Sequence, residues 1–425
     1  MNGLRYLPAL CIAALFWLAA VTVCQGGEII LGAPTSLRTL EGSESLDAVR
    51  MAVEEINGTG GVNINGRDYR FRLEPFDLQE VEPASPPSEA VNRLRTFIRT
   101  KRPDALVIGP FRSEVLLASM DLLSEEKVPT LGCIAMSPAV DAKVLTNPKY
   151  KYIFRVGLST KYLVAYLIET MKLMRRKFGL ERVFILNQDV AWARSTAYLM
   201  LRLYLDRSGW QVLGQENHPA ENGDFQKTLA RAKASRAQVI LAVFDMSSSR
   251  SLVIQWHKMK PPALLCGFIS PASGPDAWLS IKGGLEGVIN VIFELGNMPS
   301  SKYPPAELFH EAFKKRYGRP IQAGHGPAPA YESVYILARA FERAGSLDPD
   351  RVTAALEATD RRGVMGRLIF HRGHQAIFGE NPEEDVLGCV VQWKAPGKRV
   401  IVYPPAIADG QITLPPFMKP AGDSR

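Results

Sequence analysis

An α/β fold with parallel sheets, divided into two lobes, is predicted by three features of the 425-residue sequence. Short apolar runs of strand length alternate with longer amphipathic segments along most of the chain, the pattern of parallel sheets covered on both faces by helices. The strand–helix units outnumber what one sheet comfortably holds, so two lobes are expected rather than one. The composition, 46% hydrophobic and 22% charged, is that of a globular chain able to bury a large core.

The elements follow in order. Glu28–Ala33 reads as the first strand. Leu46, Val49, Val53 and Ile56 then recur at helical spacing, with Ser43 and Ser45 as candidate caps and Asn57-Gly58 as the stop. Tyr69, Phe71 and Leu73 alternate as in a strand, behind a tight-turn signal at Asn65-Gly66. A helix over 88–102, a buried strand at Ala105–Gly109 and a helix from Ser113 to Glu126 come next. Arg182–Asn187, Ala237–Phe244 and Ala263–Phe268 are apolar runs of strand length, separated by amphipathic segments at about 193–207, 225–235 and 248–259. Helices are expected again at 306–317 and 329–344, and Val386–Trp393 with Arg399–Tyr403 suits an antiparallel pair around Pro396-Gly397. The Pro-rich stretch from Pro404 to Arg425 is expected to drape over the surface.

The first residues differ in kind. Arg5 precedes an uncharged apolar run from Tyr6 to Val23, followed by Cys24-Gln25-Gly26-Gly27. A basic start, an apolar middle and a small-residue stop describe a secretory signal peptide over 1–27. An uncleaved anchor is the other reading of 18 apolar residues. Cys24 offers a third, lipoprotein anchoring, although Val23 is a poor fit to the small residue such cleavage boxes carry. Cys133, Cys266 and Cys389 each sit in an apolar run and are expected as small buried hydrophobes, not as disulfides or metal ligands.

The net charge of +8 is scattered rather than gathered in a stripe, which argues against nucleic acid as a partner. Arg175-Arg176-Lys177 and Lys314-Lys315-Arg316 each end an apolar-periodic segment, where cations complement a helix C-terminus. No GxGxxG, phosphate loop, HExxH or GxSxG is present. His371 and His374 read as a turn rather than a metal pair, and no cofactor, metal or catalytic residue is expected.

The strand-to-helix turns remain, because ligands in open α/β sheets bind beyond the carboxyl ends of the strands. Leu106–Gly109 runs into Pro110-Phe111-Arg112-Ser113. Pro129–Leu131 leads to Gly132-Cys133-Ile134-Ala135-Met136-Ser137, Phe184–Asn187 to Trp192, and Val239–Phe244 directly to Asp245. Ser113, Ser247 and Asp245 could equally be simple helix caps.

Several segments together resemble the leucine/isoleucine/valine-binding protein family, the type I periplasmic binding proteins of ABC importers. They are AVRMAVEEINGTGGVNINGRDYRFRLEPFD within 42–77, VIGPFRSEVLLASMDLLSEEKVPTLG (Val107–Gly132), RVFILNQDVAWARS (Arg182–Ser195), AYESVYILARAFERAG (Ala330–Gly345) and VMGRLIFHRGH (Val364–His374). The matches occur in family order over nearly all of 28–403.

The resemblance implies two Rossmann-like lobes joined by three crossovers that close like a hinge. The first lobe would comprise 28–154 plus 284–363 and the second 155–283 plus 364–403, with 404–425 as a tail. The implied function is that of an extracytoplasmic, periplasmic solute-binding protein delivering a small polar solute (amino acid, amide or carboxylate) to an ABC permease as a monomer. A ligand-sensing module of the same fold is the alternative, and an enzyme is not expected.

Transferred one position at a time, Ser113 matches a hydroxyl that binds a ligand carboxylate, and Ile134 and Met136 match its backbone donors. Trp192 matches a covering aromatic, and Glu41 falls in the first loop where an aromatic is common. The acid that usually receives an ammonium matches Ile269, which forms no charge-assisted bond. Asp245 stands where an aromatic often sits, and Arg112 is an addition beside Ser113. Glu41, Asp245 and Arg112 must therefore each find a ligand group, a partner or water.

Overall fold

A computed structural model describes residues 26–81 and 85–418. The signal peptide and Cys24 expected from the sequence fall almost wholly outside the described residues, as does the tail beyond 418.

The first sheet gathers β1 (Gly27–Thr35), β2 (Val62–Ile64), β3 (Arg67–Asp77), β4 (Ala105–Ile108), β5 (Thr130–Gly132) and β6 (Ile153–Arg155) in the order β2-β3-β1-β4-β5-β6. Only the β2–β3 hairpin is antiparallel, and Asn65 and Gly66 turn it with φ of 52° and 83°, the left-handed pair that a two-residue hairpin demands.

The second sheet contains β7 (Arg182–Gln188), β8 (Gln211–His218), β9 (Val239–Phe244), β10 (Leu264–Ile269) and β11 (Ile289–Ile292). A separate hairpin, β12 (Asp360–Gly363) and β13 (Gly366–Ile369), precedes β14 (Cys389–Ala395) and β15 (Lys398–Tyr403). The order is β15-β14-β11-β10-β9-β7-β8, parallel from β8 to β11 and antiparallel at β14 and β15. The predicted α/β class with two parallel-cored sheets is what the chain adopts.

Helix termini follow local chemistry. Arg175, Arg176 and Lys177 fill the last turn of Thr160–Phe178, and Lys314, Lys315 and Arg316 that of Pro304–Tyr317. Gly179 and Gly318 close them in the left-handed conformation. The helix expected to start near Ser43 instead spans Leu40–Gly58, because Thr39 is the cap and its Oγ1 accepts the Gly42 N–H at 3.0 Å. That shift draws Glu41 into the first turn. The three described cysteines are free and buried, as their apolar surroundings suggested.

Two expected lobe boundaries need correction. The return to the first lobe placed at 284 is too early, since β11 pairs with β10 and β14 inside the second sheet. The helix Pro327–Ala344 then packs on Leu40–Gly58 in the first lobe. The departure placed at 364 is also too early. Gln375 bridges in parallel to Arg155 at the edge of β6, and the His374 ring stacks on Phe154 at 4.0 Å. The tail is more than a surface drape: Ile407 and Ile412 are buried, and Phe417 meets Trp256 edge-on at 5.4 Å.

Candidate functional site

The turn after β4 shows how backbone geometry builds the site. The Gly109 N–H bonds back to the Val107 carbonyl at 2.8 Å, and Ile108 between them has φ +68°. This three-residue turn is rare and strained, most of all for a β-branched residue. It redirects the chain so that Phe111, Arg112 and Ser113 arrive at the mouth of the first sheet. Glu80 secures the turn, its carboxylate accepting the N–H groups of Phe111 (2.7 Å) and Arg112 (2.9 Å).

Ser113 opens the helix Ser113–Glu125, and its Oγ accepts the N–H groups of Met136 and Ser137, each at 3.1 Å. With both lone pairs occupied, its hydroxyl proton is what it can offer a ligand. Asp245 follows β9 directly. Its carboxylate accepts from Gln188 Nε2, Trp192 Nε1 and Arg112 Nη1, all at 2.8 Å. Arg112 belongs to the first lobe and the other three residues to the second, so the group spans the cleft. Two more contacts span it: Glu114 Oε1 accepts the Ala191 N–H at 2.8 Å, and Ser270 Oγ donates to Glu41. The lobes are closed on one another.

Behind these contacts lies a small cavity between the lobes. Glu41 and Ser113 line it, with Ile134 and Met136, and rings from both lobes form its walls. Glu41 is 4% exposed and has no ion-pair partner among the described residues. Burial pushes its carboxyl up to about 7, opposed by the Ser270 bond and by the charge of His325, and reinforced by the charge of Asp245.

The profile of the periplasmic binding protein family matches residues 31–379. The chain belongs to the periplasmic binding protein family. It is 24% identical over 422 residues to the Leu/Ile/Val-binding protein homolog 7 of Brucella suis, covering 97% of this chain and 99% of that one. Among solved structures, a solute-binding protein of R. palustris in complex with benzoate superimposes with a TM-score of 0.72 at 15% identity, over 90% and 97% of the two chains. A branched-chain amino acid substrate-binding protein of Streptococcus pneumoniae in complex with isoleucine gives 0.70 at 18% identity, over 89% and 100%. The solved structures share the fold, and the family to which the chain belongs is one of solute-binding proteins rather than enzymes. Among the described residues no helix is long and apolar enough to cross a membrane, and no group of side chains is arranged to hold a metal ion.

In this binding protein, six of the eight residues singled out in the sequence line the cavity: Glu41, Ser113, Ile134, Met136, Trp192 and Asp245. Arg112 reaches the cleft through Asp245 and lies over the Phe111 ring at 5.1 Å. Ile269 does not take part. It ends β10 with its side chain buried in the apolar cluster beside Phe244 and Trp256, because successive strand residues face opposite sides of the sheet. Its neighbours carry the site instead: Phe268 lines the cavity and Ser270 holds Glu41.

Sequence reasoning singled out neither the wall residues Phe111, Phe268, Phe293 and His325 nor the supporting Glu80. Phe293 and His325 lie in irregular segments between the lobes, where no periodicity marks which way a side chain faces. Trp192 meets Phe268 and Phe293 edge-on at 6.0 and 6.4 Å, and Phe293 packs on Phe268 at 4.0 Å and on His325 at 4.8 Å.

Proposed function

We propose that this protein captures a small amino acid with an apolar or aromatic side chain in its closed cleft and passes it to an ABC permease. The observation that carries this reading is Glu41. A buried carboxylate whose only side-chain hydrogen bond comes from the Ser270 hydroxyl is costly, and its pKa stays raised despite the charge of His325 nearby. A ligand ammonium would supply a direct charge-assisted partner. Asp245 does not compete for that role, because Arg112, Trp192 and Gln188 already occupy it. Ser113 then offers its proton to the carboxylate end, and Phe111, Trp192, Phe268 and Phe293 surround the side chain. The name of the Brucella relative, a Leu/Ile/Val-binding homolog, supports the same class.

A second reading is an aromatic carboxylate with no ammonium group, favoured by the ring-lined walls and by the benzoate complex of the R. palustris protein. Calorimetric titration of the purified chain with leucine, phenylalanine, benzoate and 4-hydroxybenzoate separates the two. Binding of an amino acid but not benzoate supports the first reading, and the reverse supports the second. Silence with all four removes both. The transport role is tested by uptake of the bound ligand in cells lacking this protein; undiminished uptake would favour a sensor.

A further inference from the structure

Glu294 is fully buried just beyond β11, in the segment that carries the chain back to the first lobe. Its Oε1 accepts the Leu158 N–H at 2.9 Å and His325 Nδ1–H at 2.8 Å. Its Oε2 accepts Asn297 Nδ2 at 3.0 Å and the Gly326 N–H at 3.2 Å. Leu158 lies on the first crossover, between β6 and the helix Thr160–Phe178. Gly326 caps the helix Pro327–Ala344, and Asn297 Oδ1 accepts the Ala328 N–H there at 2.8 Å. At φ +103°, with any Cβ placed 2.4 Å from Ser45 Oγ, position 326 admits only glycine. One carboxylate thus joins two crossovers and the start of an 18-residue helix.

His325 connects this junction to the cleft. Its Nε2 faces the Ile134 carbonyl at 2.7 Å, and a carbonyl only accepts. Its other nitrogen faces a carboxylate already surrounded by donors. Both ring nitrogens therefore carry protons, and the buried ring is an imidazolium. Burial works against that charge, yet Glu294, the Ile134 carbonyl and Glu41 outweigh it and hold the pKa above the ordinary histidine value. Ile134 itself lines the cavity, in the loop whose Met136 and Ser137 N–H groups bond to Ser113.

We propose that His325 and Glu294 form a positioning pair that transmits the filling of the cleft to the crossovers on which the lobes turn. A ligand pressing on the Ile134 loop and the His325 ring displaces the imidazolium against Glu294, and Glu294 passes that displacement to Leu158 and to the helix start at Gly326. Hinge closure has to change the relation between crossover segments, and Glu294 is bonded to two of them. This rests on the cleft being the binding site, and not on which ligand fills it.

Two measurements on a chain of residues 28–425 test the pair. In Glu294→Gln, leucine or phenylalanine affinity is expected to fall at least tenfold, and small-angle scattering to show a ligand-saturated form less compact than wild type. Affinity within twofold and the same compaction would overturn the proposal. Nitrogen-15 spectra of the six histidines decide it independently. One wild-type ring, absent from the spectrum of His325→Gln, is expected to stay doubly protonated at pH 7.5. A neutral His325 ring there overturns the pair even if Glu294→Gln fails to fold. Failure of both amino acids to bind would sink the proposed ligand class, and the spectra would still decide this one.

Discussion

Arg112 of the first lobe donates to the Asp245 carboxylate of the second at 2.8 Å, with both side chains almost entirely screened from water. The pair is a latch. Asp245, which was expected to find a ligand group, a partner or water, has its partners in Arg112, Trp192 and Gln188. Removing one partner of a buried pair costs about 3–5 kcal/mol when the other stays buried, but here the cleft can open and let water reach it. Arg112→Ala is therefore expected to show as faster release rather than unfolding. Stopped-flow measurement should find koff raised about tenfold, equivalent to roughly 1.4 kcal/mol. An unchanged koff would mean the latch contributes nothing to closure.

Glu41→Gln separates the two ligand classes. The substitution keeps the shape and the bond with Ser270 but removes the charge. An amino acid should lose 30-fold or more in affinity, within the roughly 2–5 kcal/mol that truncating a buried charge contact costs. Benzoate, if it binds, should bind as well or better. Calorimetry on the variant with both ligands checks this, and equal losses for the two would remove Glu41 from ammonium recognition.

How far the sequence reaches is clearest at the strand ends. Ser113, Trp192 and Asp245 could be found because each sits at the turn or helix start after a strand whose apolar run announces it, and in an open parallel sheet that edge binds the ligand. Ile269 failed by one residue: a side-chain period of two makes a single-step misalignment exchange the cleft face for the core face, and Phe268 and Ser270 are the residues that matter. Glu41 was found, but not the reason it reaches the cavity, which depends on Thr39 rather than Ser43 capping the helix. His325 and Glu294 gave no signal, since crossovers carry neither helical nor strand periodicity and, Asn297 apart, their partners lie 31 to 191 residues away.

The pH dependence should run in opposite senses for the empty and filled protein. Burial pushes the Glu41 and Glu80 carboxyls from 4.5 up to about 7. The folded chain thus keeps protons that the unfolded chain releases between those values. The stability they contribute is fully present below about 4.5 and lost as pH rises through 7, at most about 3 kcal/mol for each. The ligand-free Tm should be lower at pH 8 than at pH 5.5, with a smaller drop in Glu41→Gln. An ammonium ligand needs ionised Glu41, so the Tm rise that leucine or phenylalanine produces should be larger at pH 8. A rise that shrinks toward pH 8 would point to an anionic ligand.

Ser113→Ala is expected to affect stability and binding together. Ser113 is 1% exposed, and its oxygen is the acceptor for two backbone N–H groups of the Met136–Ser137 turn. Alanine leaves both donors buried, and an unsatisfied buried group costs about 1–3 kcal/mol. The urea midpoint should fall by an amount equivalent to roughly 2–4 kcal/mol at unchanged m-value, and ligand affinity should drop at least tenfold as the loop beside Ile134 loosens. Ser113→Cys, which keeps a weak acceptor of similar size, should recover part of the stability but less of the binding, since a thiol is the poorer donor to a carboxylate. If alanine weakens binding while the urea midpoint stays at the wild-type value, the two backbone bonds do not hold the loop in solution and Ser113 serves the ligand alone.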